Sequence, residues 1–274
     1  MKTPLFFLFL ALSFSLFCQN EQLLEKKQQK TTHLVGISMG VNDFHLRDEY
    51  LSPHIFSKPM FSSGLTYQVQ SKKLLQEVDL SYSFGHPDSN IQIRDVTEKT
   101  GFVSYSILHT FFEKKISGNP VQLSLGTGIS SFIAHTNFIG RDEKYKYDWD
   151  EQSWYTSNSI NLLFRSEYML ISGKSFFLQV TMPFFSLISR PENGHVWNDD
   201  NLKVINSILQ VESQGKPEFF FKNPVFFSQI GYKQPIGKNF DLRFNYQFNY
   251  ISSNRPLPLK MYMNQFMTQL DFLF

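Results

Sequence analysis

The 274-residue chain holds a single cysteine, Cys18, and only 18% charged side chains, 26 Lys and Arg against 24 Asp and Glu. A formal net charge of +2 excludes a basic nucleic-acid binder and an acidic disordered chain alike. Only the extreme N-terminus carries a long apolar run, which excludes a polytopic helical membrane protein. The seven histidines (33, 45, 54, 86, 109, 135 and 195) show no close pairing at metal-ligand spacing. No phosphate-binding loop or nucleotide fingerprint is present. The sequence therefore assigns no catalytic, cofactor-binding or metal-binding residue, and no cofactor is expected.

What is abundant is aromatic and dispersed. The chain has 30 Phe and 12 Tyr, aromatics reach 16%, and hydrophobic residues make up 42%. Mean hydropathy is nevertheless −0.25, so apolar residues must be interleaved with polar ones.

The N-terminus reads as an export signal. Lys2 precedes an apolar run from Pro4 to Phe17, and Gln19-Asn20-Glu21-Gln22 turns polar. This segment is too short and wrongly flanked for a spanning helix. Leu16 and Cys18 at positions −3 and −1 place cleavage before Gln19, giving a signal peptide over 1–18. Lipidation of Cys18 is the alternative, and the bulky Phe17 before it argues against that. After cleavage at this point the chain has no thiol, hence no disulfide and no thiolate metal site. Residues 19–32 read as a polar, flexible periplasmic leader, and 33–274 as one domain.

Period-two alternation runs down that domain, as in strands with two unlike faces. From Phe240 to Tyr250, residues Phe240, Leu242, Phe244, Tyr246, Phe248 and Tyr250 share one face. Asp241, Arg243, Asn245, Gln247 and Asn249 share the other. Similar apolar faces recur at Val35–Val41, Leu65–Val69, Val78–Phe84, Val103–Phe111, Val121–Ile129, Ile160–Leu170, Phe176–Phe184, Phe226–Tyr232 and Phe266–Phe274, which makes ten strands. Short turns fall near 71–73, 114–119, 172–174 and 234–239, and long connections at 44–58, 87–100, 134–156, 189–223 and 252–260. Long and short alternate strictly. That is the arrangement of an all-β, up-and-down antiparallel transmembrane barrel with short periplasmic turns and long outer loops.

A soluble barrel with inward apolar faces fails on volume. A lumen of this strand number is nearly filled by side chains, and roughly fifty large apolar side chains cannot enter it. The Gly, Ser, Thr, Asn and Gln faces can. The apolar faces must therefore meet lipid, where backbone polar groups are satisfied only if the sheet closes.

With its export signal, its alternating strands and a last strand Phe266-Met267-Thr268-Gln269-Leu270-Asp271-Phe272-Leu273-Phe274, the chain resembles small bacterial outer-membrane β-barrel proteins. The Phe/Tyr/Asn/Lys-rich composition is similar to that of barrels from Bacteroidota-type bacteria. The resemblance implies the outer membrane as location and its lipids as surroundings. It also implies the barrel-assembly machinery as a partner, engaged through the strand ending at Phe274. Phe274, Phe272 and Leu270 match that family's end signal, and Thr268 interrupts its apolar series.

Inward charges gather towards the periplasmic end: Glu77, Asp79, Glu167, Asp241, Arg243 and Asp271, with Arg165 near the middle. They read as an internal network that braces a narrow barrel, the alternative being a constriction that selects ions. Trp149, Trp154 and Trp197 fall in the long connections, where they mark either a contact surface or, for Trp154, the aromatic girdle. Within the fourth long connection, Asp200 could cap a helix over 199–209 carrying Leu202, Ile205 and Leu209, either a lid or a docking element.

Two enzyme classes use this scaffold. Omptin-type proteases pair Asp-x-Asp with Asp-x-His across the mouth. This chain has Asp43-Phe44-His45 and Asp148-Trp149-Asp150, in the reverse order and in other loops. Lipid-A deacylase-type barrels use His-x-Ser, which is absent. The expectation is thus a non-enzymatic barrel acting through its outer loops, as an accessory subunit of an envelope secretion or uptake complex or as a surface-contact protein, with no nucleic-acid partner. A narrow channel for small solutes is the alternative, and an omptin-like surface hydrolase comes third.

Overall fold

In the computed structural model, the described residues are 31–49, 54–89, 94–142, 147–170, 173–190, 196–197, 215–220, 224–254 and 257–274. The signal peptide with Cys18, nearly all of the leader and the helix expected at 199–209 lie outside them.

Ten long strands follow one another: β1 (Thr32–Asp48), β2 (Phe56–Gln70), β3 (Leu74–Gly85), β4 (Arg94–Ile116), β5 (Asn119–Asp142), β6 (Tyr147–Met169), β7 (Ser175–Ser189), β8 (Val225–Pro235), β9 (Phe240–Ser253) and β10 (Leu259–Leu273). Each pairs antiparallel with its successor. β1 pairs with β10 from Leu34↔Leu273 to Asp48↔Leu259, and two more backbone hydrogen bonds join His33 to Phe274. The sheet therefore returns on itself and has no open edge around the ring, as backbone groups in lipid require.

Three short extended segments flank the ring. Asp88–Ser89 pairs with β2, Val196–Trp197 with β6, and Lys216–Phe219 with β7. The last lies on the same edge of β7 as β8, beyond the Phe227↔Thr181 pair.

The short connections lie where the sequence placed them. Between β4 and β5, Ser117 (φ 51°) and Gly118 (φ 84°) close a two-residue turn with both central residues left-handed. Such a turn matches strand twist and favours glycine at its second position. A bulge at Phe111, between Thr110 and Phe112, shifts the register of β4 and leaves both Phe111 and Phe112 exposed.

The long connections differ from expectation. Much of 134–156 is strand, since β5 runs to Asp142 and β6 starts at Tyr147. Residues 44–48, 56–58 and 94–100 are likewise strand. Trp149 and Trp154 accordingly belong to β6, and Trp197 to a short paired segment, rather than to loops. The reason is visible in β1. Val35, Ile37, Met39 and Val41 point outward and are exposed, while Gly36, Ser38 and Asn42 point inward. One turn of the pleat later the polarity inverts: Asp43, His45 and Arg47 point outward, and Phe44 and Leu46 are buried inside. The alternation persists, but apolar-outward ceases to be its signature.

The exposed belt comprises Ile37, Leu65, Leu80, Val103, Leu125, Leu162, Phe184, Ile230, Phe244, Phe266 and Leu270, among others, from all ten strands. Large apolar side chains around a closed sheet have one compatible surrounding, the hydrocarbon of a bilayer.

Candidate functional site

The interior is organised in three layers, and each is tied across the ring.

Near the periplasmic end, Arg243 on β9 is nearly inaccessible and sits 2.9 Å from Asp271 on β10. Its Nη2 also donates to Gln68 Oε1 on β2 at 3.2 Å, three strands round the ring. Gln68 in turn donates to Glu77, and Thr66 Oγ1 donates to Asp79 Oδ1 at 2.7 Å. On β6, Arg165 pairs with Glu167 at 3.2 Å and donates to Gln179 of β7, while Lys233 of β8 pairs with Asp241 of β9 at 3.3 Å. Phe177 is the hub of this floor. It points inward from β7, with Arg165 at 4.2 Å and Arg243 at 5.8 Å from its ring centroid. Gly231 makes room for it, because a Cβ there would lie 2.1 Å from the Phe177 ring. The charges expected in the lower lumen are all inward, and they are joined in ion pairs and hydrogen bonds, the bracing arrangement rather than an open constriction. Buried charges demand such partners.

Above the floor lies a cavity of about 100 Å³ with a mixed lining: Ser, Thr, Asn and Gln, with Glu77 and Asp79 on one wall, together with Leu80, Leu163 and Met267. Its polar groups and size suit a few waters. Phe102 on β4 and Phe227 on β8 also line it and meet each other, ring centroids 5.7 Å apart. These strands stand four apart in the ring of ten, so this contact reaches across the lumen at mid-height.

The outer part of the interior is an apolar core. Phe44, Leu46, Met60, Phe132, Tyr155, Ile188, Ile251, Leu259, Met261 and Met263 are buried together. The mouth above is clamped by a polar network. Arg190, at the end of β7, pairs with Asp48 of β1 at 2.6 Å, both side chains only 2% exposed. Ser153 of β6 donates to Asp48 Oδ2 at 2.9 Å, and Arg190 Nη1 donates to the Leu257 carbonyl at 2.6 Å. Glu98 of β4, buried nearby, accepts from Thr136 of β5 at 2.6 Å. β1 and β6 face each other in a ten-membered ring, so the Asp48–Ser153 bond crosses the full mouth.

The strand motif Asp43-Phe44-His45 does not face the mouth. Asp43 and His45 point outward and bind each other at 3.1 Å, while Phe44 fills the core. Asp148, Trp149 and Asp150 are on β6, and their side chains lie outside the described residues. Among the described residues no cluster of His, Cys, Asp and Glu could hold a metal ion.

Sequence reasoning found the floor charges but missed Phe177, the apolar core and the Asp48–Arg190 clamp. A signal existed for the core: Lys260-Tyr262-Asn264 against Leu259-Met261-Met263 repeats in β10 the inversion seen in β1. None existed for the clamp, whose partners stand 142 residues apart.

The closed ring, the lipid-facing belt and the filled interior define the class: a transmembrane β-barrel of the outer-membrane type. Location in an outer membrane follows from that fold and belt. No protein-family model matches the chain, and no curated protein matches it. Among solved structures it is similar to the outer membrane protease OmpT from Escherichia coli, with a TM-score of 0.50 and 6% identity over 91% of this chain and 99% of that one. The translocator domain of the autotransporter NalP from Neisseria meningitidis gives 0.46 and 7% over 96% and 94%. Ail, the attachment invasion locus protein of Yersinia pestis, gives 0.34 and 9% over 88% and 98%. At such identities the likeness to OmpT is one of fold and brings no catalytic residue with it.

Proposed function

We propose that the protein is a non-conducting, non-enzymatic barrel that works from its outer face, as an accessory subunit of an envelope complex or as a surface-contact protein. The observation that supports this reading is a set of side-chain contacts reaching across the ring at three heights, Arg243–Gln68, Phe102–Phe227 and Asp48–Ser153, each of which stands in the way of a permeant. The barrel also rises unevenly. Residues 147–155 of β6 extend beyond the last β7 partner, Thr156↔Ser189, and 94–97 of β4 extend beyond Gly85↔Glu98. Together with β5 they raise a wall of sheet on one side of the mouth, a platform for contact.

In planar bilayers the purified barrel should give no reproducible unitary current, and extraction from native membranes in mild detergent should retain a stoichiometric envelope protein. Discrete, reproducible conductance steps in the wild type would sink the reading in favour of the narrow channel. The hydrolase reading gains nothing from a likeness of fold alone, and the outward Asp43 and His45 deprive it of one half of the expected pair.

A further inference from the structure

The two ends of the barrel carry different charge. At the outer end, the exposed charges among the described residues are of both signs and several are paired: Asp43 with His45, Arg47 with Glu49, and Lys58 with Asp88, with Lys99 and Lys260 exposed beside them. At the periplasmic end, each of the four short turns carries lysine: Lys72 and Lys73 between β2 and β3, Lys114 and Lys115 at the β4–β5 turn, Lys174 between β6 and β7, and Lys238 between β8 and β9. Lys174 is half-buried and the other five are exposed. None of the six has an ion-pair partner among the described residues. Glu113 is the one exposed carboxylate on these turns.

The turns lie between successive strand pairs, so the lysines form a ring round the barrel rather than a patch on one side. Exposed apolar side chains adjoin three of the turns, Phe112 and Ile116 beside Lys114 and Lys115, Phe176 beside Lys174, and Ile236 and Phe240 beside Lys238, and half-buried Val69 lies below the β2–β3 turn. A lysine next to a lipid-facing side chain extends its ammonium to the headgroup level while its stem stays in apolar surroundings. A globular acidic partner would meet one arc of such a ring and leave the adjoining apolar groups uncovered. A surrounding leaflet meets all of it.

We propose that the periplasmic turns form a ring-shaped binding surface for anionic phospholipid headgroups of the inner leaflet. Lys72, Lys73, Lys114, Lys115, Lys174 and Lys238 supply the contacts to phosphate. Each lysine near an anionic membrane surface contributes about fivefold in local partition, an effect that salt screens.

The full-length barrel is reconstituted in nanodiscs of equimolar phosphatidylcholine and phosphatidylglycerol, then stripped with mild detergent, and the retained lipid is quantified by mass spectrometry. Phosphatidylglycerol is enriched several-fold over its input share, and the enrichment falls as salt is raised. The variant K72Q/K73Q/K114Q/K115Q/K174Q/K238Q returns the ratio to input, the six-arginine variant keeps it enriched, and neutralising Lys99 and Lys260 on the outer wall leaves it unchanged. A wild-type ratio equal to input overturns the proposal, and that readout needs no variant to fold. So does enrichment that survives the six glutamines. A lysine-dependent acidic protein retained in native extracts, with the lipid ratio at input, would assign the ring to that partner instead.

Discussion

The membrane section of the barrel and its outer section are built from the same strands with opposite polarity. In the membrane section β1 turns Ile37 and Met39 to lipid and Ser38 and Asn42 inward. In the outer section the same strand turns His45 and Arg47 to the surroundings and Phe44 and Leu46 inward. β10 does likewise, with Phe266 and Leu270 against Gln265 and Gln269 below, and Lys260 against Leu259 and Met261 above. Inside the bilayer the apolar surroundings take the hydrophobic side chains, and the lumen is held by hydrogen bonds and ion pairs. Beyond the bilayer the surroundings are water, and the hydrophobic effect drives the apolar side chains inward as in a soluble protein. One chain thus carries two cores of different chemistry, stacked along one axis.

The comparison can be broken most severely from below. Replacing Arg243 with Ala leaves the inaccessible Asp271 carboxylate without its cation. Breaking one side of a buried pair costs about 3–5 kcal/mol, read as a lowered urea midpoint in detergent. Conductance should stay absent in this variant, because Phe102–Phe227 and Asp48–Ser153 still reach across the lumen.

The outer core answers to size rather than charge. Phe44 is fully buried in the apolar cluster, and Phe44→Ala should cost about 3–5 kcal/mol through the cavity it leaves, with conductance still absent because the floor is intact. Loss of less than about 1 kcal/mol on that scale would mean that the outer section is not a packed core.

The boundary between the two sections is tested on the outside. Met39→Lys places a charge in the lipid belt and should cost about 2–4 kcal/mol, while His45→Lys, three pleats higher on the same face, should fall near zero. Equal effects at both positions would erase the distinction between the sections. The smallest expected effect is at the floor's packing. Gly231→Ala drives a methyl against the Phe177 ring, and overpacking of this kind costs about 1–3 kcal/mol, with the thermal midpoint as the readout.

Much of this was legible in the sequence where side chains alternate in the usual sense. The faces Phe240–Tyr250 and Val35–Val41 located β9 and β1, and the alternation of short and long connections gave the order of strands round the ring. The strands run on past the expected ends because outward apolar residues mark only the part of each strand that meets lipid, and Asp43-His45-Arg47 looks like a loop by that rule. The inward charges were identified from parity, but parity could not reveal that Phe177 would stand between Arg165 and Arg243, each on a different strand.

The sequence by itself determined the strand number, the pairing of neighbours and the face that meets lipid, because all three depend on alternation and on spacing between adjacent segments. Whether the lumen is open was decided only by tertiary structure. Phe102 and Phe227, Arg243 and Gln68, and Asp48 and Ser153 are remote in sequence, and they meet because ring closure sets a diameter that their side chains can span. No local pattern records that distance, since it belongs to the closed ring and to no strand within it.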